Sequence, residues 1–453
     1  MEKIDNNLNK IEFSQEQTIA FNKYIEGKNI FITGPGGSGK SLLIKEIKKH
    51  AEVNKKKIQV CALTGCAALL LSCKAKTLHS WSGISLGNGT IEEHVNKVIK
   101  SIFKKTVWKQ TDVLVIDEVS MMSKKILEML DKIGKTVRKC QKPFGGIQLV
   151  FSGDFYQLPP VGNKDEPDTM SFCFESSLWN EIFKKEDHIK LIKIFRQKEE
   201  EYSTILNEIR EGKLKRSSYN KLMLNVGKKL PENSIIRPTK LFPVRSKVDN
   251  INNVEMKNLH SEKEIMYESK YCLDLPMTEK EKMYREKFTS EQVKAELDYI
   301  QGNLLCEKTL KLKVGAQVMS IANIEFPCGN VICNGSQGII TKINDNNIPI
   351  VKFNSGCEVM MNHHIWPSEN IPGIGITQIP LILSWAITIH KAQGASLDFA
   401  EVDVGSSIFE CGQTYVALSR VKSLEGLYLT CFDVNKIRIN KKVREFYDML
   451  NNT

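Results

Sequence analysis

The chain has 453 residues, which is enough for two to four domains with substantial cores. Hydrophobic residues make up 41% and charged residues 26%, as in an ordinary globular protein. No run approaches the roughly 18 apolar residues that a membrane-spanning helix needs, so no membrane association is predicted. The net charge of +11 suits a polyanionic partner, but a biased genome would produce the same Lys-rich composition, so charge alone counts weakly.

The N-terminal residues, the cysteines and the arginines each narrow where the protein could be located and which sites it could contain. The first ten residues include acids and no arginine, which argues against a secretory signal and a mitochondrial presequence. The 12 cysteines form no C-x-x-C pair of the kind that binds zinc, and a reducing, intracellular compartment is predicted. Arginine supplies only ten of the 64 basic residues, so each arginine is more informative than a generic positive charge.

Residues 1–190 alternate strand and helix patterns, which predicts a doubly wound α/β domain. Helices are predicted at residues 14–26 and 40–50. Strands are predicted at 29–33, 58–62, 113–116 and 148–152. Residues 83–108 show no strand pattern and are expected to leave the sheet as a small separate element.

A second α/β region is predicted over residues 191–260 and 375–453. Residues 261–374 between them have a different character. A charge-dense stretch at 277–301 is helical or disordered, with a solvated face as the default interpretation. Short β-rich runs at 310–361, broken by Gly, Asn and Pro, are typical of a small antiparallel barrel. The predicted fold class is therefore α/β, with two α/β domains and a β-barrel insertion in the second.

The segment NIFITGPGGSGKS at residues 29–41 is an apolar strand followed by G-x-x-x-x-G-K-S, the phosphate-binding P-loop. The loop that would surround the phosphates consists of Gly34, Pro35, Gly36, Gly37, Ser38 and Gly39. Lys40 supplies a charge for the β- and γ-phosphates, and Ser41 offers a hydroxyl to Mg²⁺. A chance Gly-rich turn is the alternative, but the strand before it and the amphipathic helix after it favour a nucleoside triphosphate site.

Two further strands end in polar residues near the P-loop. VLVIDE ends in Asp117 and Glu118, which we interpret as a magnesium ligand and the base for the attacking water. A pair of solvated acids opening a loop is the alternative. The next strand continues into GDFYQLPP, where Gln157 is placed to sense a γ-phosphate; a plain Pro-terminated turn would also explain that segment.

Three more residues have two interpretations each. Gln17 fits a capping box with Ser14, or an adenine contact, or both. Arg196 and Arg420 follow apolar runs in the second α/β region, where arginine fingers would sense the γ-phosphate and couple hydrolysis to domain closure. A surface ion pair is the alternative for either arginine, and the scarcity of arginine disfavours it.

Ten segments, in order between residues 13 and 421, resemble the PIF-type DNA helicases of helicase superfamily one. They are FSQEQ, GPGGSGKS, LTGCAA, KTLHSW, VIDEVSMM, PFGGIQ, GDFYQLPP, FRQ, HKAQGASLD and YVALSR. The resemblance covers nearly the whole chain. The run KTVRKCQKPFGGIQLVFSGDFYQLPPV resembles that family's own signature.

This resemblance implies two RecA-like motor domains with ATP in the cleft between them, a wedge element in the first and a β-barrel insertion in the second. It also implies ATP- and Mg²⁺-dependent 5′→3′ translocation on single-stranded DNA, with separation of duplex or forked DNA. Within the family pattern Gln17 contacts adenine, while Gln157, Arg196 and Arg420 sense the γ-phosphate. Gln393 and Gly394 match a motif that lies near both nucleotide and DNA.

The DNA contacts implied by the resemblance are Thr64 and Gly65, in a loop after a strand, and Thr77, His79 and Lys391. Contacts to phosphates carry no sequence code, so sequence-tolerant, salt-dependent binding is expected. Trp81, in KTLHSW, either stacks on a base or packs in the core. A monomer in solution is expected.

Two other classes of protein remain as alternatives. A nucleotide kinase or packaging ATPase would need phosphate-acceptor or ring-assembly features in place of GDFYQLPP and paired arginine fingers. A nucleic-acid-binding module without catalysis would require damage at Lys40, Asp117, Glu118 or a finger, and these residues are intact.

Overall fold

The computed structural model describes residues 12–71, 73, 75–84, 89–197, 199–230, 237–260, 263–326, 331–368, 371–389, 391–392, 395–405 and 407–451. Its first region is a parallel sheet with helices on both faces. The strands are β1 (Ile30–Thr33), β2 (Ile58–Ala62), β3 (Lys76–Thr77), β4 (Val113–Asp117), β5 (Gln148–Gly153) and β6 (His188–Lys190). Their order in the sheet is β3-β2-β4-β5-β1-β6, and all neighbouring pairs are parallel.

The helices of this region largely follow the predicted pattern. They are α1 (Gln15–Ile25), α2 (Lys40–Val53), α3 (Gly65–Leu71), α4 (Leu78–Ser82), α5 (Ile91–Lys100), α6 (Ile102–Gln110), α7 (Lys124–Arg138) and α8 (Leu178–Ile182). Helix α1 begins at the predicted Ser14 cap. Strands β1 and β4 are buried along their whole length because helices cover both faces of the sheet. The carboxyl ends of β1 and β4 therefore lie at one edge, beside each other's loops.

Residues 83–108 leave the sheet, as expected, and their described part forms α5 and α6. Val95, Val98 and Trp108 attach these helices to the apolar core of the first region. The Trp81 ring is buried against Trp108, with 4.5 Å between ring centroids. Of its two interpretations, packing in the core is the one that the structure supports.

The second α/β region has its own parallel sheet. Before the insertion come α9 (Glu200–Glu211), α10 (Arg216–Met223), β7 (Thr239–Phe242) and α11 (Arg245–Asn258). The insertion then contributes β8 (Ile265–Glu268), β9 (Lys270–Cys272), α12 (Glu279–Arg285), α13 (Ser290–Asn303), β10 (Thr309–Leu312), β11 (Gln317–Ser320), β12 (Ile324–Glu325), β13 (Val331–Ile332), β14 (Gln337–Ile343), β15 (Pro349–Phe353), β16 (Glu358–Met360), β17 (His364–Pro367), β18 (Gly375–Gln378) and β19 (Leu381–Leu383). The chain ends with β20 (Ala386–Thr388), β21 (Ala400–Val404), α14 (Gln413–Leu418), β22 (Leu427–Phe432) and α15 (Lys441–Asn451), and the second parallel sheet has the order β20-β7-β21-β22.

The insertion is an antiparallel β-module, and it is wider than the predicted 310–361 run. Strands β16-β15-β14-β11-β19 form one antiparallel sheet, and β8 pairs with β10. Both sheets bury the same apolar core. The charge-dense stretch is helical, as α12 and α13. Helix α13 packs through Val293 and Leu297 on a small apolar cluster beside β18, so it is a fixed part of the module.

The last helix of the chain packs away from the region in which it was predicted. Val443, Phe446 and Tyr447 of α15 belong to the apolar core of the first region. An amphipathic helix buries its apolar stripe wherever a complementary face exists, and the sequence pattern does not say which face that is. The second domain, proposed over residues 375–453, therefore differs from the structure at both ends. Its parallel sheet resumes at β20, because β18 and β19 pair within the insertion, and α15 joins the first core.

Within the described ranges, no helix combines the length and apolar character needed to cross a membrane. The ten cysteines that can be assigned there are free thiols.

Candidate nucleotide and nucleic-acid sites

The P-loop lies in a cavity of about 360 Å³ at the carboxyl edge of the first sheet. Residues from both α/β regions surround it. The P-loop lines it from Gly36 to Ser41, the end of β4 contributes Asp117 and Glu118, and Gln157, Arg196 and Arg420 complete the lining. The sequence-predicted catalytic residues are thus brought together in one place.

Backbone geometry explains why glycines form this loop. Gly37 and Gly39 have φ angles of +85° and +84°, which residues with a side chain rarely adopt. A Cβ at Gly37 would come within 2.5 Å of the Arg196 Cβ. The glycines therefore allow the second region to approach the loop backbone closely.

Lys40 begins α2 and points back into the loop. Its Nζ donates hydrogen bonds to the carbonyl oxygens of Gly34 and Pro35, at 2.7 Å and 3.0 Å. Burial lowers the pKa of Lys40, and nearby carboxylates, Asp154 first, act in the opposite direction. The Ser38 hydroxyl is buried and has no hydrogen-bond partner in the part of the chain that the structure describes. A phosphate group bound in the loop would accept a hydrogen bond from the Ser38 hydroxyl and would neutralise the charge of Lys40.

The two acids after β4 have different environments. Burial raises the pKa of Asp117, although the nearby Ser152 hydroxyl and the charge of Lys40 oppose that effect. Glu118 has φ +56°, a left-handed conformation that costs a residue with a side chain roughly 1 kcal/mol or more and turns the chain sharply after the strand. Asp117 and Ser41 both line the cavity and offer oxygen ligands, which suit the hard cation Mg²⁺.

Arg196 and Arg420 converge on Gly36. A Cβ at Gly36 would lie 3.3 Å from Nη2 of Arg420 and 3.4 Å from Nη1 of Arg196. Their guanidinium hydrogen bonds go to backbone oxygens and to the Ser419 hydroxyl. Burial, and then the neighbouring Arg196, lower the pKa of Arg420 to about 9, so it stays charged at neutral pH. Two like charges held together in a buried site would be stabilised by an anion between them.

Gln17 combines the two interpretations that the sequence left open. Its Oε1 accepts from the Ser14 backbone N–H at 2.9 Å, which completes the capping box. Its Nε2 donates to the Gly39 carbonyl at 3.4 Å, which attaches α1 to the P-loop. The capping function is confirmed, and the adenine contact stays a prediction. Gln393 and Gly394 lie outside the described residues.

The five predicted DNA contacts share a second cavity of about 1270 Å³, between the first region and the insertion. Thr64, Gly65, Thr77, His79 and Lys391 all line it. Thr64 lines the nucleotide cavity as well, so this one loop borders both sites. Burial lowers the pKa of His79, which favours the neutral ring at pH 7.

Helix α13 covers part of this surface. The Tyr299 hydroxyl is hydrogen-bonded to the Thr77 hydroxyl. A Cβ at Gly65 would come within 2.6 Å of the Asn303 Cβ, so Gly65 lies directly under the end of the helix. Two of the predicted DNA contacts are therefore occupied by the insertion in this structure.

A buried polar network that the motifs did not reveal connects the two regions. Asp154, which follows β5, forms a bidentate ion pair with Arg210 of α9, both distances being 2.8 Å. The Tyr447 hydroxyl of α15 contacts Asp154 at 3.3 Å and Thr33 at 2.6 Å. The only sequence signal for this network was that scarce arginine tends to be used for planar recognition of carboxylates.

Two residues that line the nucleotide cavity, and a third that bonds the P-loop backbone, were also not singled out by the sequence analysis. The Tyr415 hydroxyl of α14 accepts from the Gly36 N–H at 2.9 Å. Asn323 and Asn334, beside the β12–β13 hairpin of the insertion, line the same cavity. Neither asparagine lies in a sequence motif that would indicate a nucleotide contact.

The fold and these two cavities define a P-loop motor ATPase with two RecA-like domains. Residues 12–227 match the model of the PIF1-like helicase family, and residues 297–343 match that of the DNA helicase Pif1 2B domain. The yeast Saccharomyces cerevisiae ATP-dependent DNA helicase RRM3 is 32% identical over 97% of this chain and 68% of its own length. An uncharacterised protein, 030L, of Invertebrate iridescent virus 6 is 33% identical over 97% of this chain and 95% of its own.

Solved structures agree with these sequence relatives. The crystal structure of Pif1 helicase from Candida albicans has a TM-score of 0.73 and 33% identity, and the match covers 97% of this chain and all of that one. Bacteroides Pif1 bound to single-stranded DNA has a TM-score of 0.63 and 28% identity, over 98% of both chains. The chain therefore belongs to the PIF1-like helicase family of ATP-dependent DNA helicases.

Proposed function

We propose that this protein uses ATP hydrolysis to move 5′→3′ along single-stranded DNA and to separate the duplex ahead of it, including at forks. The observation that carries the proposal is Thr64, which lies on a loop that borders both cavities. This loop would carry a change in the nucleotide cavity to the surface proposed for DNA. The relatives named above support the substrate class.

Each residue of the nucleotide cavity has a proposed part in the reaction. Lys40 and the P-loop N–H groups bind the phosphates, and Glu118 orients the attacking water and takes its proton. Ser41 and Asp117 would hold Mg²⁺, which when bound neutralises charge on the phosphates. Gln157 follows β5 of the first region and would contact the γ-phosphate from the same side as the P-loop. Arg196 and Arg420 come from the second region, so their contact with the γ-phosphate would hold the two regions closed, and loss of that phosphate would release them.

Unwinding of forked DNA with a 5′ or a 3′ tail tests the direction of movement. The wild-type protein should unwind the 5′-tailed fork when ATP and Mg²⁺ are present. Lys40→Ala should abolish unwinding, because the phosphates lose a buried cation. A preference for the 3′ tail would contradict the proposed direction, and no unwinding of either fork would contradict the proposed function.

We also propose that the protein is a monomer in solution. Light scattering after gel filtration should then give the mass of one chain over a range of protein concentrations. A concentration-dependent dimer in the absence of DNA would contradict this.

A further inference from the structure

Three aromatic side chains meet at the wall of the large cavity that the predicted DNA contacts also line. Phe103 comes from α6 of the first region, whereas Tyr284 and Phe288 come from the insertion. The Phe103 and Phe288 ring centroids are 6.3 Å apart at an interplanar angle of 75°. Tyr284 and Phe288 are 5.2 Å apart at 81°. The cluster is named here the aromatic gate, and it joins two parts of the chain that are far apart in sequence.

Exposure distinguishes the aromatic gate from ordinary core packing. Phe103 is 42% exposed and Tyr284 is 39% exposed, and both line the cavity. Phe288 is half-buried against the apolar cluster under α13, which fixes the position of the gate. Single exposed apolar side chains are common, but exposed rings that cluster at a cavity wall mark a candidate binding surface.

The charges around the gate indicate the kind of partner. The Nζ atoms of Lys104 and Lys287 lie 5.5 Å and 5.8 Å from the ring centroids of Phe103 and Tyr284. The charged residues that line the whole cavity are Lys97, Lys104, Lys287, Lys391 and Glu296. Rings interleaved with lysines match a ligand that alternates flat π-faces with negative charges, which single-stranded nucleic acid does.

We propose that the aromatic gate is a binding site for bases of single-stranded DNA, with Phe103 and Tyr284 stacking on unpaired bases and the flanking lysines contacting phosphates. This inference rests on the proposed function, and it extends the DNA path from Thr64 and Thr77 to the insertion. It also assigns a function to the charge-dense α12–α13 segment, because Tyr284 and Phe288 lie in that segment.

A double-mutant cycle between the protein rings and the DNA bases tests the proposal. Binding of fluorescent oligo(dT) is measured by anisotropy, with one abasic position moved along the strand. Wild-type protein should lose about ten-fold in affinity at the position that meets the gate, since base stacking on an aromatic ring contributes about that much. Tyr284→Ala and Phe103→Ala should each bind intact oligo(dT) about ten-fold more weakly, and each should show little further loss when the base that its missing ring would stack on is also removed.

Matched variants separate stacking from folding. Tyr284→Phe keeps the ring and should bind like the wild type. Met283→Ala lies on the same helix and removes an exposed apolar side chain that does not line the cavity, so it should change nothing. Thermal unfolding of the alanine variants should match the wild type because both rings are substantially exposed.

The outcomes distinguish this inference from the function on which it rests. An abasic scan that is flat in the wild type, or equally costly in Tyr284→Ala, would overturn the aromatic gate while 5′→3′ unwinding stands. Failure of the wild-type protein to bind oligo(dT) would overturn both.

Discussion

The nucleotide cavity and the larger cavity that we propose binds DNA, called the DNA cavity below, share a loop, yet they are built in opposite ways. The nucleotide cavity is small, about 360 Å³, and is formed by a tight backbone loop with charged groups converging from two regions. The DNA cavity is larger, about 1270 Å³, and its wall is completed by helices of the insertion. A site for one small, fixed anion requires preorganised geometry, whereas a site for a moving polymer requires replaceable contacts. Each prediction below tests one side of this contrast.

The largest expected effect concerns preorganisation of the nucleotide cavity. Arg420→Ala should retain nucleotide binding but lower DNA-stimulated ATP turnover by about 10³-fold or more, the usual contribution of an arginine finger. Steady-state ATPase rates and titration with a fluorescent nucleotide measure the two properties separately. Arg420→Lys should not restore turnover because a lysine lacks the planar fork. Normal turnover in Arg420→Ala would contradict the arginine-finger role of this residue.

The next largest effect concerns the buried ion pair between Asp154 and Arg210, which connects the two regions beside the nucleotide cavity. Arg210→Ala leaves Asp154 buried and uncompensated, so the free energy of unfolding should fall by about 3–5 kcal/mol. Thermal and denaturant unfolding measure this loss. Arg245→Ala is the matched control, because its pair with Asp249 is exposed and should contribute at most about 1 kcal/mol. Equal stability of the two variants would show that the buried pair does not fix the regions together.

The smallest effect concerns the replaceable contacts of the DNA cavity. Tyr299→Phe removes the hydroxyl that occupies Thr77, so affinity for single-stranded DNA should rise about two- to five-fold, the worth of one net hydrogen bond. Anisotropy titrations measure the change. Tyr271→Phe is the control, since its hydroxyl bonds Asp298 on the same helix and Tyr271 does not line the cavity. Weaker binding by Tyr299→Phe would mean that the hydroxyl itself contacts DNA.

The same contrast explains how much the sequence could predict. Lys40, Ser41 and the acids after β4 were predictable because a short motif determines both the loop and its chemistry. Strand β2 was predicted with the bounds that the structure has, since an apolar run between helices has few alternatives. The ordered motifs also brought Arg196 and Arg420 to the correct cavity, although their catalytic roles stay predictions.

The remaining features depend on contacts between distant parts of the chain. Thr33 and Tyr447 are 414 positions apart, and neither has a local pattern that would indicate the other. The charge-dense stretch resembled a solvated helix, and its docking over Thr77 depends on the fold of the whole insertion. Asn323 and Asn334 also line the nucleotide cavity because of how the whole insertion folds. Tertiary packing decided these positions, and local propensity carried no information about them.

The docking of α15 on the first core has a consequence for how the motor moves. The polypeptide passes from the first region to the second between β6 and α9, and it returns between β22 and α15. Two bodies joined by one tether can twist and slide freely, whereas two tethers remove most of those degrees of freedom. The remaining motion is a hinge rotation about the line through the β6–α9 and β22–α15 connections. Opening and closing of the nucleotide cavity during hydrolysis would then be confined to that rotation.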